Sequence, residues 1–170
     1  MRCVYSTISG YTLNIDYVAG FFDGEGCART TRVGYALGRK KLWKPVIEMS
    51  NTNKKVIEEI HNFIKMGKVY EYHPKRRGAK TQWRIYIWGL DIIKFCDLIK
   101  NKTIVKREIL YLVREFAEYV ESTKYKHKTW RGKHQGWTEE DIQFTKEKFV
   151  VPIRNLIRTS SNKGRRLIVP

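Results

Sequence analysis

Two hydrophobic periods alternate along the chain, and the switches between them mark its elements. "TQWRIYIW" (81–88) alternates cleanly, with Trp83, Ile85 and Ile87 on one side and Gln82, Arg84 and Tyr86 on the other, as a half-buried strand requires. "KKVIEEIHNFIKM" (54–66) instead spaces Val56, Ile57, Ile60, Phe63 and Ile64 for a helix. Asn51-Thr52-Asn53 opens that helix, and Gly67 is its expected stop. The same reading gives strands at 27–33, 42–49 and 68–72 and helices at 90–100 and 103–120, the last with Ile104, Leu110, Val113 and Phe116 or Ala117 as its stripe. A first helix, capped by Asn14 or Asp16, is expected to run to about Asp23 and stop at Gly24.

These elements make an α+β fold. The order αββαββα predicts a twisted four-stranded sheet, antiparallel or mixed, with helices on one face, over residues 1–120. Residues 121–136 read as a basic linker. A capping box at Thr138–Asp141 then opens a C-terminal helical extension of the same domain that Pro152 limits or kinks, and the end of the chain is expected to be loose.

The sheet face away from the helices would carry Arg29, Thr31, Lys44, Glu48, Tyr70, Tyr72, Gln82, Arg84 and Tyr86. Charge changes how that polar, aromatic face is read. Lys and Arg number 34 against 17 Asp and Glu, a formal net charge of +17. So large an excess expects a polyanion partner. The bases are spread over strands and turns rather than along one helix face, which favours nucleic acid over a membrane surface. Arg39, Lys40 and Lys41 in one loop and Lys75, Arg76, Arg77 and Lys80 in another would extend the face into a concave saddle for double-stranded DNA. A twisted antiparallel ribbon fits the major groove, where Arg and Gln can read base edges.

The remaining composition narrows the class. Hydrophobic residues make up 42% of the chain, which suits a globular domain rather than a disordered tail. No apolar run approaches the ~20 residues of a membrane span, and no signal peptide is evident. Three widely spaced cysteines, Cys3, Cys27 and Cys96, show no metal-ligand or disulfide pattern, which suits a reducing, intracellular compartment. Whether that is an organelle or the cytoplasm is not encoded.

The stretch "YVAGFFDGEG" (17–26) is unusual: an apolar helix with two glycines that ends in acids. Gly20 and Gly24 are four apart, one face of a helix, and suit a close helix–helix contact. A carboxylate at a helix C-terminus is disfavoured by the dipole, so a divalent cation near Glu25 would compensate. Taken alone, a loop acid behind a glycine cap explains the same residues.

Val18-Ala19-Gly20-Phe21-Phe22-Asp23-Gly24-Glu25-Gly26 closely resembles the motif of the LAGLIDADG homing endonucleases, and the element order over residues 12–120 resembles that family's core. One copy of the motif resembles the homodimeric, intron-encoded members. The resemblance implies a site-specific double-strand DNA endonuclease with one active site per subunit at a two-fold axis and a long pseudo-palindromic target. Asp16, Ala19, Gly20, Asp23 and Gly24 would lie in the dimer contact, with Asp23 mainly structural. Glu25 would hold Mg²⁺, with the Gly26 carbonyl as a further ligand; Mn²⁺ would substitute, and Ca²⁺ would support binding without cleavage. Glu stands where the family more often has Asp. Asn51 and Lys55 match the residues that order water near the scissile phosphate. Lys106 matches an active-site lysine, with Lys102 as the second choice. An RNA-binding maturase and a non-catalytic DNA-binding regulator are the alternatives on the same fold.

Overall fold

The computed structural model describes residues 6–8, 11–33, 42–123 and 137–165. The basic loop residues Arg39, Lys40 and Lys41, with His127 and His134, lie outside the described residues. A short antiparallel pair that the hydrophobic pattern did not predict comes first: β1 (Ser6–Ile8) against β2 (Tyr11–Leu13).

Asn14 caps α1 (Ile15–Glu25), its Oδ1 accepting the Tyr17 N–H at 2.9 Å. The expected stop at Gly24 is not the observed one. The helix continues through Gly24 to Glu25 and passes directly into β3 (Gly26–Val33). Gly26 makes the junction: its N–H still donates to the Phe22 carbonyl while its backbone, at φ −80°, is already extended. No left-handed residue is needed, so Gly26 is required for space rather than for φ. A Cβ there would press into the Phe22 ring and sit 2.5 Å from the Phe22 carbonyl oxygen. Gly26→Ala should therefore cost about 1–3 kcal/mol, seen as a fall in Tm of at least about 2–4 °C; an unchanged melting curve would mean that the junction relaxes freely.

The other strands are β4 (Leu42–Asn51), β5 (Lys68–Tyr72) and β6 (Gln82–Ile87). Their order is β3-β4-β6-β5, and every neighbouring pair is antiparallel, which settles the antiparallel-or-mixed choice. α2 (Lys54–Ile64) starts at the Asn53 cap. It ends before the expected Gly67, because Lys65 turns left-handed (φ 53°) and donates its N–H to the His61 carbonyl. Gly67 (φ 75°) belongs to the turn into β5.

α3 (Leu90–Ile99) and α4 (Arg107–Thr123) complete the covering layer. α4 begins later than its hydrophobic stripe implied. Ile104 lies outside it and is 80% exposed, while Leu110, Val113, Phe116 and Ala117 are buried as expected. The backbone at 104–106 is held instead by Asp23 of α1, as described below.

The core lies between the helices and one sheet face, with Ala28, Ile47, Met49, Ile85 and Ile87 meeting Phe22, Ile57, Ile60, Phe95, Val113 and Phe116. The C-terminal segment joins it. Thr138 and Asp141 form the expected capping box at α5 (Glu139–Thr145). A π-helical turn at Lys146–Val150 then leads into α6 (Val151–Arg165), so Pro152 follows a local register change and does not end the helix. That turn places Phe149 and Val150 in the core, with Phe149 stacked on Phe116 at 4.7 Å between ring centres. Among the described residues no helix is long and apolar enough to cross a membrane.

Candidate active site

The C-terminus of α1 and the approach to α4 cap each other. The Asp23 carboxylate accepts the backbone N–H groups of Ile104 (2.7 Å), Val105 (3.3 Å) and Lys106 (3.0 Å). In return the Lys106 ammonium donates to the carbonyls of Phe22 (2.9 Å), Asp23 (2.7 Å) and Gly24 (3.4 Å), the last turn of α1. An acid meets helix-initiating N–H groups, and a base meets the negative end of a helix dipole. Lys106 is half-buried. Burial lowers its pKa, against the pull of Asp23, the Cys27 thiol and Glu25.

Glu25 is the last residue of α1, one step before the sheet begins, and it is exposed. Among the described residues no side chain hydrogen-bonds or ion-pairs with its carboxylate, and Lys106 is the cation that acts on it through space. Gly20 and Gly24 are also exposed on α1, and a Cβ at either would touch nothing within 4 Å. Among the described residues nothing explains why these two positions are glycine.

From the foot of α1 the open sheet face spreads outward. The register places Cys27, Arg29 and Thr31 of β3 beside Lys44, Val46 and Glu48 of β4. It then sets Glu48 and Ser50 against Tyr86 and Arg84 of β6, and Lys68, Tyr70 and Tyr72 of β5 against Tyr86, Arg84 and Gln82. Every strand residue expected on this face is therefore on it. Lys75, Arg76, Arg77 and Lys80 lie exposed in the turn that joins β5 to β6.

A sequence model described as LAGLIDADG endonuclease matches residues 18–132, more than half of the chain. The chain belongs to the LAGLIDADG endonuclease family. Solved LAGLIDADG structures share the fold. The homing endonuclease I-TnaI aligns with a TM-score of 0.55 at 16% identity, over 87% of this chain and 98% of its own. The archaeal intron-encoded homing endonuclease I-Vdi141I, complexed with DNA, aligns at 0.54 and 16% identity, over 84% and 95%. I-CvuI, bound to uncleaved DNA in the presence of Mg, aligns at 0.53 and 16%, over 79% and 93%. No curated protein matches the chain.

Within this LAGLIDADG chain the other expected site residues separate into groups. Asn51, at the end of β4, turns its Oδ1 onto the Asn53 N–H (2.8 Å). Lys55, in the first turn of α2, has its Nζ 3.8 Å from Glu59. Lys102, the second choice to Lys106, pairs with Asp16 at 2.5 Å, at the other end of α1. Ala19, expected in the dimer contact, is buried to 1% exposure in the chain's own core, because it points from α1 toward the sheet. Asp23 is committed to the 104–106 backbone of its own chain. His61 and His73 keep ordinary local partners, the Gly67 carbonyl and Thr81.

Besides Val46, three polar residues that share the open face escaped the sequence reading: Cys27, Ser50 and Lys68. Extending the two-residue period one step beyond Arg29, Glu48 and Tyr70 would have found them. Cys27 adjoins the site, where burial raises its pKa against the lowering fields of Arg29 and Lys106.

The donor set also bears on a metal. Among the described residues no three His, Cys, Asp or Glu side chains cluster as ligands. The exposed Glu25 carboxylate alone does not make a protein cage. It does fit Mg²⁺, which takes one or two carboxylates and leaves the rest of its shell to water and phosphate oxygens.

Proposed function

We propose that the protein is a site-specific double-strand DNA endonuclease that uses a divalent metal and works as a homodimer. The observation that carries this is the exposed carboxylate of Glu25, which no described side chain pairs and which acts on the Lys106 ammonium where α1 meets the open basic sheet face. Two copies packed through the Gly20/Gly24 face of α1 would bring two Glu25 carboxylates together at the two-fold axis, one for each DNA strand. The two open faces would then straddle the duplex.

Glu25, with the Gly26 carbonyl, would hold the cation. Bound there, Mg²⁺ supplies charge neutralisation at the phosphoryl oxygens and a water of lowered pKa. Lys106, whose ammonium donates to the last turn of α1, acts through space on the charge that develops on the phosphate. The Asn51 amide and the Lys55 ammonium orient water from the β4–α2 side. Asp23 sets the position of Lys106 through the 104–106 backbone.

The test is incubation of plasmids carrying candidate intron-insertion sites with the protein in Mg²⁺ or EDTA. Linear product at one site in Mg²⁺ alone supports the reading, and absence of cutting at every site, with tight binding of structured RNA, overturns it. Lys106→Met should slow single-turnover cleavage by about 10²–10³-fold, the range for losing one charge-stabilising donor. A variant that cuts at the parental rate would leave Lys106 with the α1 cap as its whole role.

A further inference from the structure

Glu48 is the one acid that the strands place on the open sheet face, and it stands between two arginines. Arg29 Nη2 donates to its Oε2 at 3.0 Å, and Arg84 Nη1 approaches its Oε1 at 2.9 Å. The carboxylate thus gives one oxygen to each guanidinium across two different strand pairs. Arg84 is held further. Its Nη2 donates to Gln82 Oε1 at 2.9 Å, and its guanidinium carbon lies 3.5 Å from the centre of the Tyr72 ring. Both partners are sheltered, with side-chain exposures of 12% for Glu48 and 18% for Arg84. Around them Tyr70 packs edge-on to Tyr86 at 5.7 Å.

A surface built only to attract phosphates would leave its arginines long, mobile and uncompensated. Here a partly buried carboxylate cancels half of their charge and holds both side chains. Each guanidinium keeps N–H groups that neither Glu48 nor Gln82 uses. A fixed planar fork is what bidentate recognition of two adjacent acceptors needs, and in the major groove that pair is guanine O6 and N7.

We infer that Glu48 is a specificity-determining positioning residue, which holds Arg29 and Arg84 as paired readers of guanine in each half of the DNA target. The inference rests on the DNA-binding reading above. Glu48 lowers attraction for arbitrary duplex and raises discrimination, because a held arginine reaches a base edge without losing further freedom, whereas a loose one settles on phosphate.

The experiment is selection from a randomised duplex library in Ca²⁺, sequenced for the parent, Glu48→Gln, Arg29→Lys and Arg84→Lys. The parent should enrich sites with fixed guanines at two positions per half-site. Arg29→Lys and Arg84→Lys should each lose preference at one of them. Glu48→Gln should relax both, with at least a tenfold fall in the ratio of selected to random-duplex affinity, while random-duplex binding stays equal or rises. Thermal melts of the variants separate this from unfolding, and the two lysine variants keep the charge of the face. If Glu48→Gln selects the parental pattern with an unchanged ratio, or if the parental sites carry no guanine that depends on either arginine, the inference is overturned although the protein binds DNA. If the parent enriches no duplex at all, the DNA-binding reading falls and takes the inference with it.

Discussion

Glu25→Gln is expected to abolish cleavage and leave specific DNA binding close to intact. The substitution preserves length and polar contacts but removes the charge that a hard divalent cation requires. Glu25 makes no hydrogen bond or ion pair with a described side chain, so the fold has little to lose. Lys106, which feels its charge through space, is already held by three carbonyl oxygens of α1 and would stay in place. In the absence of metal, binding should tighten slightly, since one carboxylate per subunit ceases to repel phosphate. Cleavage of a target duplex in Mg²⁺, beside a gel shift of the same duplex in Ca²⁺, reads both effects. Parental cutting by Glu25→Gln would remove the residue from the metal site. Loss of binding together with cutting would instead make it part of the DNA contact.

The parts of this molecule that were legible in the sequence are those set by short periods. The alternation in 81–88 put Ile85 and Ile87 in the core and Arg84 and Tyr86 outside, as observed. The same rule sorted β3, β4 and β5, and Asn53 announced the start of α2. What was not legible depends on residues distant in sequence or on local geometry that the pattern permits but does not require. Gly24 has the residue type of a helix stop, yet the chain needed its room two residues later, at Gly26, where a Cβ would press into the Phe22 ring. Ile104 fits the α4 stripe by spacing, but Asp23, 81 residues earlier, claims its N–H and holds the segment short of the helix. Ala19 shares the small-residue character of Gly20 and differs from it only in which side of α1 it occupies. The Arg29–Glu48–Arg84 arrangement needed the cross-strand register, since three charges at the right parity could equally have pointed to solvent apart from one another.

The register of α1 leads to the second large effect. Gly20→Leu should break the dimer and end double-strand cutting without harming the fold of the single chain. A Cβ at Gly20 meets nothing within 4 Å among the described residues, so the exposed position leaves room for a side chain in the single chain. Within α1, replacing a glycine by leucine removes an intrinsic helix penalty of roughly 0.5–1 kcal/mol, so the isolated chain should melt at the same temperature or slightly higher. At a close helix–helix contact the outcome reverses. The new side chain fills the space that the partner backbone occupies, at about 1–3 kcal/mol for each insertion. Two-fold symmetry makes the same insertion twice, so dimerisation should weaken by about 2–6 kcal/mol, or roughly 30-fold to 10⁴-fold. Tyr17, stacked on Phe21 along the same helix and 47% exposed, would then stay in water. Sedimentation at micromolar concentration, a thermal melt and a plasmid assay that separates nicked from linear product read the three consequences. A monomeric mass for the unaltered protein, or a Gly20→Leu variant that still sediments as a dimer and linearises the plasmid, would place the subunit contact elsewhere and leave the exposure of Gly20 and Gly24 without a use.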